Sequence, residues 1–259
     1  MDEVRVVGRS GPAVLLLPGG AESADGFFPG LVEGLVADPG CRVLLHDRPG
    51  TGRATTTGRL DGAAEHLARV TRDHGPVVVV GQSLGGAVAT LFARDHPELV
   101  AALVLLDPTP INAPRVCTRL ERTMQALGVL CRVPVLHRLL ARALRAQLAR
   151  ERRRLDLRPD CAEAHERISD ADLPTLARSV EGLASLSRGF READLPSPPA
   201  VVVTADRKPG HPIRQAHERL AAALGAQVVR WLGAGHDLHL DHPDETLAVV
   251  REVAATPLR

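Results

Sequence analysis

A serine set between two glycines is the feature of this chain that most clearly predicts chemistry. Ser83 occupies the centre of a Gly-x-Ser-x-Gly motif, residues 81–85, directly after the valine run Val77–Val80 and before an alanine-rich stretch. A buried strand, a sharp turn and a helix start in that order form a nucleophile elbow, which exposes the serine hydroxyl above a sheet. The first N–H groups of the helix, that of Leu84 foremost, would face a developing oxyanion. We therefore expect Ser83 to be a nucleophile.

Serine is a weak nucleophile at neutral pH, so Ser83 requires a base within hydrogen-bond reach and a third group that orients the base. His236 lies in a glycine-flanked turn after an apolar run near the C-terminus and is the expected base. His239 and His242 follow closely, but no ligand set with metal-like spacing accompanies them, so no metal site is expected. Without these partners the motif would equally describe a turn whose serine only caps a helix.

Short apolar runs separated by helical patterns predict the fold class. Runs that are apolar at successive positions suit strands covered on both faces, so we expect a mostly parallel sheet between helices, a doubly wound α/β core. The 259 residues are enough for one such core with an insertion. Ligands bind at the carboxyl ends of the strands in these sheets, so the loops after the runs should carry the chemistry. The runs are Val4–Val7, Ala13–Leu17, Arg42–His46, Val77–Val80, Ala101–Leu106, Ala200–Thr204 and Gln227–Leu232.

Residues 109–196 differ from the rest of the chain, because their periodicity is helical and rich in arginine and leucine. We expect them to form a helical lid over the carboxyl edge of the sheet, with residues 1–108 and 197–259 forming the core. The arginines are interpreted as solvated helix faces, the alternative being recognition of an anionic substrate. Because aromatic residues are few, Leu, Val, Ala and Met124 would line the acyl pocket and suit a modest aliphatic group.

The chain resembles the α/β-hydrolase fold family from about residue 10 to the C-terminus. Residues 235–243, Gly-His-Asp-Leu-His-Leu-Asp-His-Pro, are similar to the family's histidine loop, in which a Gly-His pair is followed by a second histidine and a proline. The resemblance implies that His236 is the base and that His239 is structural. Residues 47–53, Asp-Arg-Pro-Gly-Thr-Gly-Arg, resemble the family's Asp-x-x-Gly-x-Gly loop, which is a structural loop beside the active site.

The same resemblance implies an oxyanion site in the loop after the second apolar run. This loop reads Pro-Gly-Gly-Ala at residues 18–21, where family members commonly carry His-Gly-x and take one N–H from the third residue. Gly20 is the first choice for this donor and Ala21 the second, in combination with Leu84. Pro18 replaces the histidine, which changes the support of the loop and leaves the backbone donor in place.

The acid that should orient His236 has two candidates. Family members usually place it after the strand that follows the insertion, in a Gly-x-x-Asp turn, and Asp206 fits this position if Val203 replaces the glycine. A shifted alignment would put Lys208 there, which cannot orient an imidazole. Asp107 ends the strand before the insertion and is the second candidate, although an aspartate before proline also commonly caps a turn. The usual triad order favours Asp206, and the alternative stays open.

Composition restricts the partners of the protein. The formal net charge is +1, which gives no reason to expect nucleic acid or an anionic membrane surface as partner. No apolar run is long enough for a signal peptide or a membrane span, so we expect a cytoplasmic protein without stable membrane insertion. The sequence makes no prediction of oligomeric state.

Together these features predict a serine hydrolase that acts on a small-molecule acyl substrate without a cofactor or metal. His236 would accept the Ser83 proton as the serine attacks a carbonyl, and water would then hydrolyse the acyl-enzyme. Carboxylesterase-like or lipase-like activity is the first interpretation. The alternatives are cleavage of an amide, lactone, thioester or carbon–carbon bond by the same residues, and a non-catalytic ligand-binding protein of the same fold.

Overall fold

One sheet of seven strands organises the computed structural model, which describes residues 4–152, 155, 157–169 and 172–256. The strand order is β1-β3-β2-β4-β5-β6-β7, with β1 antiparallel to β3 and every other neighbouring pair parallel. All the strands coincide with the predicted apolar runs, so the α/β class is confirmed. The strands are β1 (Arg5–Val7), β2 (Ala13–Leu17), β3 (Arg42–Leu45), β4 (Val77–Gln82), β5 (Val100–Leu106), β6 (Ala200–Thr204) and β7 (Gln227–Arg230).

The central strands are buried at nearly every position, which is why their sequences are apolar without alternation. Every residue of β2 and β4 is buried. Because successive side chains point to opposite faces, Leu15 and Val79 join one apolar cluster while Leu16 and Val80 join the other. Full burial of one such side chain contributes about 1.5–3 kcal/mol. The edge strand β7 ends at Arg230 rather than Leu232, because the chain turns at Gly233 with φ of 76°.

Helices cover both faces of this sheet. Helices α2, α3 and α9 contribute to the apolar cluster on one face, and α1 and α11 contribute to the cluster on the other. This arrangement confirms the doubly wound core. The helices assigned within the described ranges are α1 (Leu31–Ala37), α2 (Ala63–Thr71), α3 (Leu84–Asp95), α4 (Pro114–Leu130), α5 (Pro134–Arg152), α6 (Pro159–Ser169), α7 (Leu173–Ser179), α8 (Leu183–Gly189), α9 (Pro212–Leu224), α10 (Leu238–Asp241) and α11 (Pro243–Ala255).

The segment between β5 and β6 contains the five helices α4–α8 and no strand in its described residues. Its anchor on the core is apolar, since Cys117 of α4 and Leu183 of α8 are fully buried in the same cluster as α3. The Glu121 carboxylate of α4 also accepts hydrogen bonds from the N–H groups of Gly182 and Ala184, at 2.8 and 2.7 Å. In the described part of the chain, no helix combines the length and the apolar character needed to cross a membrane.

Candidate active site

Ser83 lies at the turn between β4 and α3, in a backbone conformation that side-chain-bearing residues rarely adopt. Its φ and ψ are 50° and −119°. The flanking glycines make this turn possible, because a Cβ on Gly81 would lie 2.6 Å from the carbonyl oxygen of Gly85, and a Cβ on Gly85 would lie 2.1 Å from that of Leu17. The Ser83 N–H donates to the Leu106 carbonyl at 3.1 Å, which ties the turn to the neighbouring strand. The motif therefore has the geometry of a nucleophile elbow.

His236 lies within hydrogen-bond distance of this serine. It follows β7 and precedes α10, and its Nε2 is 2.9 Å from the Ser83 Oγ. The side-chain amide of Gln82 donates to the His236 carbonyl oxygen at 3.1 Å, so the histidine loop is held against the elbow itself. The His236 side chain is 52% exposed. A ring nitrogen in this position can accept the serine proton.

Asp107 contacts the other nitrogen of the same ring. Its Oδ2 lies 2.6 Å from the His236 Nδ1, and its side chain is 1% exposed. Asp107 directly follows β5, the neighbour of β4, so the parallel pairing of these strands brings it beside the elbow. Within the described ranges, Ser83 and Asp107 are the non-glycine residues with positive φ, at 50° and 44°. Strained backbone of this kind concentrates at functional sites.

Asp206, which the sequence favoured as the acid, occupies a different place. Its Oδ2 accepts a hydrogen bond from the Gly233 N–H at 3.0 Å, and its own N–H donates to the Ala234 carbonyl at 3.0 Å. These bonds turn the carboxylate towards the turn after β7. Among the described residues, the carboxylate that accepts a hydrogen bond from the His236 ring is that of Asp107, and no hydrogen bond joins this ring to Asp206. The usual triad order favours Asp206, whereas the contact with His236 is made by Asp107.

Arg207 is a site residue that the sequence reasoning missed. Its guanidinium pairs with Asp107 through two hydrogen bonds, Nη1 to Oδ1 and Nη2 to Oδ2, and the Ala205 N–H donates to the same Oδ1 at 3.0 Å. Burial acts to raise the pKa of Asp107, but Arg207 and His236 outweigh it and hold that pKa well below its usual range. A paired cation stabilises a buried carboxylate, but no pattern in the sequence identified Arg207 as the partner of Asp107.

Three further histidines have structural surroundings, and His217 was also missed. It is fully buried, with Nε2 2.7 Å from the Pro108 carbonyl oxygen and Nδ1 2.9 Å from the Thr204 hydroxyl, so it braces the chain next to Asp107. His239 is buried and stacks on Phe27 at 4.5 Å, and burial lowers its pKa to about 4. The His242 ring lies 5.6 Å from that of Trp231. None of these three rings is hydrogen-bonded to the Ser83 hydroxyl, which contacts His236.

The charge on Asp107 also affects the base. Removal of water from around the ring acts to lower the pKa of His236, whereas the hydrogen bond to Asp107 and the negative charge of Asp107 act to raise it. The two effects of Asp107 outweigh the loss of water, so the pKa of His236 lies above its ordinary value of 6.5. A base of this strength suits proton transfer near neutral pH.

The backbone donors expected for an oxyanion lie on the two loops that meet at the serine. The loop after β2 approaches the elbow so closely that a Cβ on Gly19 would lie 3.1 Å from the Ser83 Cβ. Gly20 has a φ of 52°, which a glycine adopts without strain. Within the described part of the chain, the N–H groups of Gly20, Ala21 and Leu84 have no hydrogen-bond acceptor. No acceptor among the described residues therefore occupies any of the three candidate donors.

A doubly wound sheet that holds a serine, a histidine and an aspartate over its carboxyl edge is the arrangement of an α/β hydrolase. The chain belongs to the alpha/beta hydrolase family, because the model of that family matches residues 14–249. The structure of MenH from S. aureus is similar to this one, with a TM-score of 0.76 at 14% identity. The match covers 98% of this chain and 98% of the MenH chain. That likeness shows the shared fold.

Several curated relatives match part of the chain, among them a lipase and a second hydrolase. Lipase LipV from Mycobacterium tuberculosis is 38% identical over 109 residues, which is 40% of this chain and 41% of the lipase. A 2-hydroxy-6-oxononadienedioate/2-hydroxy-6-oxononatrienedioate hydrolase from Pseudomonas sp is 34% identical over 110 residues, which is 40% of this chain and 38% of that enzyme. The matched segment thus spans about two fifths of the length of each of these relatives.

Proposed function

We propose that the protein is a serine hydrolase that cleaves an ester or a related acyl bond through an acyl-enzyme intermediate. The observation that carries the proposal is the continuous hydrogen-bonded chain Ser83–His236–Asp107, with atom-to-atom distances of 2.9 and 2.6 Å. Nucleophile, base and orienting acid are the three roles that acyl transfer from serine requires. The name of the lipase relative agrees with this class of reaction.

In the first step, His236 Nε2 accepts the hydroxyl proton as the Ser83 Oγ attacks the substrate carbonyl carbon. The carbonyl π-bond electrons move onto its oxygen. Asp107 keeps the other ring nitrogen protonated, which leaves Nε2 free to act as the base, and stabilises the imidazolium that forms. When the oxyanion collapses, the bond to the leaving oxygen breaks, and His236 returns its proton to that oxygen. An alcohol departs and the acyl group stays on Ser83.

In the second step, His236 removes a proton from water as the water oxygen attacks the acyl carbon. The new oxyanion collapses, the bond to the Ser83 Oγ breaks, and His236 protonates the serine. A carboxylic acid leaves and the enzyme is restored. Neither step requires an oxidant, a reductant or a metal.

The negative charge that develops in both steps needs donors that are already in position. We assign this role to the Leu84 N–H with that of Gly20, or with that of Ala21 as the second choice. The support is that these N–H groups have no acceptor in the described residues and belong to the loops that meet at Ser83. One such donor contributes about 2.7–4 kcal/mol to the stability of the transition state.

Residues 109–196 are assigned the role of a lid that excludes water and shapes the acyl pocket. The helical character of the segment supports this role. Met124 lies on α4 and packs against the main apolar cluster, which fits an aliphatic lining. A series of chromogenic esters of increasing acyl length tests the assignment, with activity expected to peak at a short or medium chain. Equal activity at all lengths would remove the support for such a pocket.

The central test combines substitution with active-site labelling. Ser83→Ala is expected to abolish ester hydrolysis and labelling by a fluorophosphonate probe, while the circular dichroism spectrum stays that of the wild type. Ser10→Ala is the control, because Ser10 lies in an exposed turn far along the chain from the motif. Retained hydrolysis in Ser83→Ala would contradict the proposal. Wild-type protein that does not react with the probe would favour the non-catalytic, ligand-binding alternative.

A second candidate is cleavage of a carbon–carbon bond by the same residues. It is favoured by the relative named 2-hydroxy-6-oxononadienedioate/2-hydroxy-6-oxononatrienedioate hydrolase. Comparison of kcat/KM for the compound in that name with kcat/KM for a simple ester distinguishes the two bonds. A much higher kcat/KM for the first compound would mean that cleavage of a carbon–carbon bond, and not ester hydrolysis, is the main activity.

A further inference from the structure

A cavity of about 280 Å³ lies between the loop after β3, helix α2 and the turn that joins α7 to α8. Neither Ser83 nor His236 lines it. The volume is that of a site for a small molecule. Positive side chains dominate its wall, although one carboxylate also faces it. The charged lining residues are Arg48, Arg59, Arg69, Arg178 and Glu181.

Arg48 is the buried member of this lining. It is 4% exposed, and its Nη2 donates to the Gly20 carbonyl oxygen at 3.1 Å. Its Nε, however, has no hydrogen-bond partner within the described part of the chain. The Asp47 carboxylate accepts hydrogen bonds from the Ser23 hydroxyl and the Ala24 N–H, at 2.9 and 2.6 Å, and it acts on Arg48 through its charge. Burying a cation without a hydrogen-bonded anion is unfavourable.

Burial lowers the pKa of Arg48 to about 10, so the side chain stays charged at neutral pH. Two of the other arginines make no ion pair with a described acidic residue. The Arg178 Nη2 donates to the Thr175 hydroxyl at 2.7 Å, and the Arg69 Nη2 lies 3.2 Å from the His66 Nδ1. Such contacts orient the guanidinium groups and leave their charge uncompensated.

Acidic groups compensate only part of the positive charge. The Asp61 carboxylate lies 3.5 Å from the Arg59 Nε, and Glu181 lies in the cavity wall. The four arginines therefore outnumber the three acids beside them, Asp47, Asp61 and Glu181. An excess of one charge in a concave site concentrates counter-ions of the other charge.

We propose that this cavity binds the carboxylate group of a small organic acid. The planar edge of a guanidinium, formed by Nε and one Nη, matches the two oxygens of a carboxylate, and such charge-assisted pairs are the strong ones. A bound carboxylate would compensate the excess positive charge of the arginines that line the cavity. Because Arg48 also holds the Gly20 carbonyl, the site is joined to the loop that we assign to oxyanion binding.

Isothermal titration calorimetry with succinate tests binding without any need for turnover. Ser83→Ala is used as the host protein, so the result stands apart from the proposed hydrolysis. We expect one succinate per protein, no heat from neutral succinamide, and affinity that is weaker by about tenfold or more in Arg69→Gln or Arg178→Gln. Arg191→Gln is the control, because Arg191 is an exposed arginine paired with Asp194 outside the cavity.

Three outcomes would overturn the proposal. The first is no succinate heat in the host protein. The second is equal weakening by the control and the cavity variants, which would mean a general charge effect. The third is tighter binding of inorganic phosphate than of succinate, which would mean a different anion. Circular dichroism of each variant checks that a loss of binding is not a loss of folding.

The carboxylate could belong to a free acid or to the substrate itself, and wild-type kinetics separate these sources. For a free acid, we expect succinate to change kcat for a neutral ester without competing with it, and Arg178→Gln to remove this effect. If the carboxylate belongs to the substrate, a succinate half-ester should have a higher kcat/KM than a neutral ester of equal length. This second interpretation rests on the proposed hydrolysis. Arg178→Gln should abolish that preference, and free succinate should then compete.

Discussion

At the residue scale, two carboxylates follow neighbouring strands at one edge of the sheet, and the His236 ring contacts one of them. Asp107 follows β5 and Asp206 follows β6, and these strands are neighbours. Asp107 is hydrogen-bonded to His236, and its buried carboxylate also accepts hydrogen bonds from Arg207. Asp206 instead accepts a bond from the Gly233 N–H. A carboxylate that is fixed and ionised is better suited to orient a histidine than one that is partly exposed.

The two aspartates allow a matched test of the acid. Asp107→Asn is expected to lower kcat for a chromogenic ester by about 10³–10⁴, because the amide favours the wrong tautomer of His236. Asp206→Asn should stay within about threefold of the wild type, as expected of a residue outside the reacting groups. Steady-state kinetics measure both values, and thermal unfolding checks that each variant folds. A larger loss in Asp206→Asn would refute our assignment.

The pH dependence of the reaction follows from the base. The proposed hydrolysis needs neutral His236, and Asp107 holds the pKa of this histidine above 6.5. We therefore expect kcat/KM to fall as the pH drops through a midpoint above that value. In Asp107→Asn the negative charge is lost, so the midpoint should move to lower pH. A pH–rate profile of the two proteins measures the shift, and an unchanged midpoint would mean that another group controls the rate.

At the element scale, the junction between β4 and α3 depends on close backbone packing. Three chain segments meet there: the end of β2, the elbow, and the first turn of α3. A Cβ on Gly85 would lie 2.1 Å from the Leu17 carbonyl oxygen and 2.6 Å from that of Pro18. Both atoms belong to the backbone, so neither can move aside without displacing β2 or the loop that carries Gly20.

Gly85→Ala is therefore expected to lower the free energy of unfolding by about 1–3 kcal/mol or more, the usual cost of overpacking, and to reduce activity. Gly189→Ala is the matched control, because a Cβ at the end of α8 meets no atom within 4 Å. That change should be neutral or stabilise the protein by up to about 1 kcal/mol. Denaturation in urea measures both. Equal stability of the two variants would mean that the elbow tolerates a wider turn.

At the scale of the whole molecule, two carboxyl groups act on stability in opposite directions as the pH changes. Arg207 and His236 hold the pKa of Asp107 below its ordinary value of 3.8, so the stability it contributes is present above that pH and is lost as the pH falls below it. Glu22 is half-buried in the loop after β2. Burial and the charge of Asp237 raise its pKa from 4.5 to about 7. The stability linked to Glu22 is therefore present below pH 4.5 and is lost as the pH rises to about 7.

Glu22→Gln removes this second dependence. The variant should unfold at a higher temperature than the wild type above about pH 7, and the difference should shrink as the pH falls towards 5. Glu33→Gln, at an exposed position of α1, serves as the control and should leave the difference near zero at every pH. Thermal unfolding in a series of buffers measures the curves. A constant offset between Glu22→Gln and the wild type would mean that the carboxyl does not titrate in this range.

Local pattern in the sequence was sufficient for the fold and for two of the site residues. The strands were predictable because a strand covered on both faces must be apolar at successive positions, as β4 is. The elbow was predictable because only glycine fits at Gly81 and Gly85, where backbone atoms lie within the reach of a Cβ. His236 was expected from its glycine-flanked turn, and it does lie against Ser83. Each of these constraints acts over a few neighbouring residues, so the sequence records it directly.

The partners that complete the site were decided by the tertiary structure alone. Whether Asp107 or Asp206 reaches His236 depends on where the loops after β5 and β6 turn. The same turns bring Arg207 against Asp107. The arginines that line the cavity likewise come from segments far apart in the chain, with Arg48 after β3 and Arg178 on α7. No periodicity records such encounters, because they arise from the order of the strands and from the placement of helices on the sheet.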